Sequence, residues 1–272
     1  MIEALSFQFM QNALFAGLLV SITCGIVGSL VVVNRMVFIA GGIAHGAYGG
    51  LGLALFLGIS PLFGALGFSI ALSIVIAFLT YTNKERTDAV IGAVWAFGMA
   101  VGIIFTDISK GYNTDLTSFL FGAILSVSKG DLQLMGAVSV LTAAVAAVFY
   151  KEFLAISFDM EFAKLQGLNT KLFYTFLMIM TALCIVACIR AVGLILVVAL
   201  LSIPPFIAEK FCVRLSQMML LSAVLSALFM LTGLALSYMF DLTSGASIIL
   251  VASFAFFLTK IKFHFCRSKS RS

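Results

Sequence analysis

Charge is scarce in this chain. Of its 272 residues, 10% are charged and 62% are hydrophobic, where a soluble domain carries about a quarter charged residues. That shortage excludes a water-soluble domain with an ordinary polar shell. Histidine is scarcer still, with two in the whole chain, so no histidine cluster exists to close a structural zinc cage. The five cysteines (Cys24, Cys184, Cys188, Cys212 and Cys266) form no CxxC pair. Cys184 and Cys188 share one helix face at i,i+4, a spacing that can bind metal. With no partner ligand near them in sequence, they read as small core- or lipid-facing residues. No Walker A sequence occurs, which excludes ATP binding through a P-loop. HExxH, GxSxG and other hydrolase motifs are missing too. The short alternating segments of a transmembrane β-barrel are absent. The first apolar run has neither the basic n-region nor the cleavage site of a signal peptide, and reads as a retained helix. The net charge of +5 does not suggest nucleic acid and is expected to sit in cytoplasmic loops.

What is abundant is apolar length. There are 27 phenylalanines and the mean hydropathy is +1.20. Apolar segments fall at 13–33, 38–58, 62–80, 89–106, 132–150, 172–188, 191–208, 217–239 and 245–260, several of them reaching the roughly 20 residues that cross a bilayer as a helix. A shorter one, 116–126, is too brief to span and fits a re-entrant segment. The expected fold is therefore all-α, a polytopic transmembrane helical bundle of about nine spans, with eight to ten as the range. The positive-inside rule orients it. With the N-terminus outside, 13 of the 16 basic residues fall on the cytoplasmic side, and only Lys110, Lys129 and Arg190 fall outside. The reading is one transmembrane domain over 1–272: membrane region 13–260, a cytoplasmic segment 151–171, and a basic cytoplasmic tail 261–272.

The cytoplasmic segment contains "SFDMEFAKLQG". Asp159 is placed to N-cap a short amphipathic helix and Gly167 to end it. Such a helix is either an ordinary linker or a docking element for another protein.

Within the spans, "MVFIAGGIAHGAYGGLGLALF" at 36–56 carries His45 among six glycines. Ionisable residues inside a membrane are costly and tend to be functional. At 100° per residue, Phe38, Gly41, Tyr48, Gly49, Gly52 and Phe56 lie near the azimuth of His45. Gly42, Gly46 and Gly50 form a second row that lets a neighbouring helix approach closely. Neutral imidazole is a ligand for zinc and other borderline divalent metals. A histidine hydrogen-bonded between helices is the alternative. Arg86 and Asp88 stand at the cytoplasmic mouth of the fourth span, as a cap or as a gate. Arg190, at an outer end, can snorkel to headgroups. Pro204 and Pro205 break the helix ladder near the inner end, with Glu209 following at the membrane edge. Asp241, in a short outer turn, is either a turn residue or an acid that attracts cations to an outer mouth.

Six ordered blocks carry a family resemblance: "GLLVSITCGIVGSLVVVNRMVFIAGGIAHGAYGGLGLAL", "RTDAVIGAVWAFGMAVGIIF", "LTSFLFGAILSVSKGDL", "ISFDMEFAKLQGL", "RAVGLILVVALLSIPPFIAEKF" and "LSYMFDLTSGASIIL". Over roughly 13–260 the chain resembles the membrane permease of bacterial zinc/manganese ABC importers. The resemblance implies a multi-pass protein of the bacterial inner membrane, a homodimeric or paired permease around a central pathway. It implies a separate cytoplasmic ATP-binding subunit, an extracytoplasmic metal-binding protein and no enzymatic activity or bound cofactor in this chain. The histidine of the family's metal pathway matches His45. The cytoplasmic block, with Phe158, Asp159, Glu161, Ala163 and Gly167, matches the part that docks on the ATPase. Many members carry an aspartate four residues before the histidine; here that position is Gly41. Losing that oxygen ligand tilts the expected cargo toward zinc, with manganese or iron as alternatives. An ion-driven secondary transporter would show inverted repeats and intramembrane acids, and neither is clear. A membrane scaffold without a substrate path is the reading from another class.

Overall fold

The computed structural model describes residues 7–82, 87–109 and 117–269. Arg86 and the end of the basic tail lie outside them. Among the described residues, eight helices are long and apolar enough to cross a membrane. They are α1 (Gln8–Val33), α2 (Val37–Leu57), α3 (Pro61–Thr82), α4 (Thr87–Ile108), α6 (Lys129–Val148), α9 (Thr170–Glu209), α10 (Leu215–Phe240) and α11 (Ser244–Lys269). Among the described residues, three short α-helices, α5 (Thr117–Phe121), α7 (Tyr150–Phe158) and α8 (Met160–Leu165), and a 3-10 turn at Ile124–Ser126 complete the order. In lipid every backbone polar group must be satisfied within the protein, and a helix does this within its own segment.

Eight such helices stand where nine separate spans were expected. Segments 172–188 and 191–208 form a single element, α9, 40 residues long and interrupted at Gly193 (φ 78°, ψ 162°). Only glycine adopts that conformation readily. Both ends of α9 lie at the same end of the bundle. Near its start, Tyr174 bonds Thr80 and Thr170 bonds Tyr81 at the close of α3. Near its finish, Ser202, Phe206 and Glu209 line a cavity with Arg35 in the α1–α2 connection. The middle of α9 sits at the opposite end, where Arg190 meets Asp131 at the start of α6. The helix is thus a hairpin with its apex at Gly193, and its legs, 170–192 and 194–209, both pack on α1. Cys24 of α1 touches the first leg at Cys184. Gly28 of α1 lies against Leu201 of the second.

The prolines do not break α9. Pro204 and Pro205 are buried inside it and the helix runs on to Glu209, Gly193 being its one non-helical residue. What they remove is ladder donors. The carbonyl of Leu201, which would accept from residue 205, faces Gly28, where a Cβ would come within 2.8 Å of it.

The short segment expected to re-enter is broken. It consists of α5, then Gly122 at φ 77°, then a 3-10 turn at Ile124–Ser126. It wedges against the α9 apex. Gly122 and Gly193 face each other so closely that a side chain on either would run into the other's backbone. The Ala123 N–H donates to the Arg190 carbonyl. Irregular backbone is tolerated at membrane depth when protein buries it in this way.

Candidate metal-transit site

The site begins with the glycines of α2, which let α3 and α4 close on it from two sides. A Cβ on Gly50 would lie 2.5 Å from the Gly64 carbonyl oxygen and 2.9 Å from Ala65 Cα, both on α3. A Cβ on Gly49 would lie 2.7 Å from the Gly98 carbonyl oxygen of α4, and Gly52 abuts the Gly102 backbone. Gly42 faces Ile91 of α4 and Gly46 faces the end of the Leu72 side chain. Small residues at such contacts permit the close van der Waals packing that holds helices together in lipid.

That approach brings two α4 side chains onto His45. The Trp95 indole stacks on the imidazole with centroids 3.9 Å apart and planes 16° apart. The Met99 Sδ lies 3.3 Å from Nδ1. With the ring proton on Nε2, the Nδ1 lone pair and this sulfur stand side by side as two metal donors. His45 is half-buried. One turn before it, Gly41 faces open space, with nothing within 4 Å of where a Cβ would stand. The imidazole is held on one side and open on the other, and its donor neighbour is a soft sulfur. Neither of these His45 contacts supplies a carboxylate. A metal here would meet one nitrogen, one thioether and whatever approaches from the Gly41 side.

Trp95 and Met99 were not singled out from the sequence. The available signal was that the only tryptophan stands i,i+4 to a methionine, on one face of α4. Arg190 does not extend alone to solvent. It pairs with Asp131 at 3.0 Å, and Asp131 also closes a capping box with Ser128 at the start of α6. The pair borders a cavity of about 460 Å³ that Ser60 and Phe119 also line. A second cavity of about 790 Å³ opens at the other end between Arg35, Ser202, Phe206 and Glu209. Asp88 is exposed in the first turn of α4. Asp241 is exposed at the end of α10 in a left-handed conformation, φ 52°, and lines neither cavity.

The block around α8, expected on the cytoplasmic side, folds locally as its residues dictate. Asp159 accepts from the Glu161 and Phe162 backbone N–H groups at 2.9 and 3.0 Å, and Gly167 follows α8 at φ 84°. Ala163 is buried against the bundle, while Phe158 (92% exposed) and Leu165 (86%) project away from it. Within that set Ala163 anchors the helix, and the large apolar side chains face outward. The expectation that Cys184 and Cys188 lack a third ligand is also corrected, because α1 delivers Cys24 to them.

A family model described as the ABC 3 transport family matches residues 6–262. The chain belongs to that family. Its fold is similar to that of PsaBC from Streptococcus pneumoniae, solved in complex with a Fab, with a TM-score of 0.85, 31% identity, and coverage of 95% of this chain and 93% of that one. An uncharacterized membrane protein of Synechocystis is 46% identical over 259 residues, 95% of this chain and 92% of that protein. The manganese transport system membrane protein MntC of Listeria monocytogenes is 35% identical over 254 residues, 93% and 90% of the two chains. This ABC 3 chain is accordingly a multi-pass permease subunit of a metal ABC importer in the bacterial inner membrane, as its ordered sequence blocks had implied.

Proposed function

We propose that this permease moves manganese into the cytoplasm, driven by ATP hydrolysed on a separate subunit, with His45 as a transit contact. The observation that carries the cargo is the similarity, along nearly the whole chain, to permeases named for manganese in Listeria and in Streptococcus gordonii. Zinc is the second reading, and the donor set favours it. Gly41 supplies no oxygen ligand, and a nitrogen beside a thioether suits a softer ion than manganese.

The pathway runs between two copies of the chain. Support comes from the open side of His45 at Gly41, which leaves room for ligands from a facing helix. A sparse site suits transport, because an ion held by several strong ligands does not leave. The N-terminus lies outside and the end bearing Arg35, Lys171 and Lys210 faces the cytoplasm. There, Phe158, Glu161 and Leu165 around α8 dock on the ATP-binding subunit, positioned by Asp159, Ala163 and Gly167. The ion arrives from an extracytoplasmic binding protein at the opposite end, where Asp241 adds a negative charge at the mouth.

The test is uptake into proteoliposomes holding permease, ATPase and binding protein, with manganese, zinc and iron in competition. ATP-dependent manganese accumulation that excess zinc fails to suppress is the expected result. Preferential zinc accumulation would replace manganese by the second reading, and uptake of no divalent metal would refute both.

A further inference from the structure

Three thiols meet inside the bundle, none of them among the His45 contacts described above. Cys24 comes from α1, and Cys184 and Cys188 come from successive turns of the first leg of α9. Their exposures are 0%, 0% and 2%, and no disulfide joins them. The Cys24 and Cys184 sulfurs are 4.0 Å apart, and all three sulfurs lie within 4.8 Å of one another. Three sulfurs in a plane around one cation, each at the usual metal–sulfur distance of about 2.3 Å, stand about 4.0 Å apart. The triangle therefore already has nearly the size of a trigonal metal site.

The local chemistry narrows the ion. Ser21, Thr23 and Thr181 lie close along the same helices, and each donates its hydroxyl to a carbonyl of its own helix. Val27 and Ile185 nearby are fully buried. Net charge is very costly in such a place. A divalent ion would leave a charged centre unless two thiols ionised, and zinc would still lack the fourth ligand of its tetrahedron. A monovalent soft ion needs one thiolate and two neutral thiols to give an uncharged site, and copper(I) is the monovalent ion among the first-row metals that soft sulfur ligands favour.

We propose that Cys24, Cys184 and Cys188 form an intramembrane site for a single copper(I) ion. Binding forms three Cu–S contacts and releases one thiol proton, with no change of oxidation state. The ion ties α1 to α9, whose Val186 packs on Ala47, Tyr48 and Leu51 of α2, the helix that carries His45. The site is independent of the metal assigned to transport.

The experiment uses the full chain in detergent under anaerobic conditions, with Cys212→Ala and Cys266→Ala removing the other two thiols. Copper(I) is supplied as its acetonitrile complex against a chromogenic copper(I) chelator. One copper retained per chain, near-UV sulfur-to-copper charge-transfer absorption and a raised unfolding midpoint are expected. Cys24→Ala should lose all three, its midpoint no longer rising when copper is added. Cys188→Ala, which leaves the α1 thiol in place, should lose the retained copper as well. Copper passing wholly to the chelator, retention unchanged in both single variants, or equal occupancy by zinc(II) alone would each overturn the proposal.

Discussion

Adding one methyl group separates two glycines that look alike in sequence. Gly41 and Gly50 both lie within α2, so alanine gains the same helix propensity at each, up to about 1 kcal/mol, and that term cancels in their comparison. The surroundings differ. At Gly41 the new Cβ meets nothing within 4 Å, whereas at Gly50 it meets the Gly64 carbonyl oxygen at 2.5 Å and Ala65 Cα at 2.9 Å. Those are backbone atoms of α3, which cannot swing aside as a side chain can. Relief requires α2 and α3 to separate, at an overpacking cost of about 1–3 kcal/mol. For a chain of this size that is roughly 2–12 °C in the unfolding midpoint. Gly50→Ala should therefore unfold below Gly41→Ala by that margin in a detergent thermal melt. Gly46→Ala, opposed mainly by the mobile end of Leu72, should fall between them. Equal midpoints for Gly41→Ala and Gly50→Ala would refute the claim that the α2–α3 contact requires glycine.

Other outcomes follow from the same geometry. His45→Ala should cut metal uptake in proteoliposomes while the assembly with the ATPase persists; unchanged transport kinetics would return His45 to a packing role. Met99→Leu keeps nearly the same volume but removes the sulfur facing Nδ1, so it should lower zinc uptake more than manganese uptake at an unchanged unfolding midpoint. Asp131→Asn combined with Arg190→Ala in a double-mutant cycle should give a coupling of about 1 kcal/mol in unfolding free energy, and strict additivity would count against a stabilising pair. Phe158→Ala with Glu161→Ala should detach or uncouple the ATPase, measured as co-purification and metal-stimulated ATP turnover. The buried Ala163 should tolerate serine in the same assays only if the α8 anchor has room for a hydroxyl.

The glycine rows, the short helix behind Asp159 and the long apolar runs were legible because each is a local property. A run of bilayer length forms a helix wherever it stands, and a cap needs only its own neighbours along the chain. His45 could likewise be picked out as the ionisable residue of its span. Its partners could not. Trp95 and Met99 lie about 50 residues away, the pairing of Arg190 with Asp131 spans a similar distance, and Cys24 lies 160 residues from Cys184.

Sequence alone determined that the chain is a helical membrane protein, where its apolar segments fall and which histidine sits among glycines. Tertiary structure decided which faces meet. Along these helices apolar residues run all the way round, so no hydropathy stripe marks the inward side. In lipid, close packing rather than water exclusion chooses it. That choice folded 172–188 and 191–208 into one hairpin at Gly193, set Trp95 and Met99 on His45, and gathered three dispersed cysteines into one triangle.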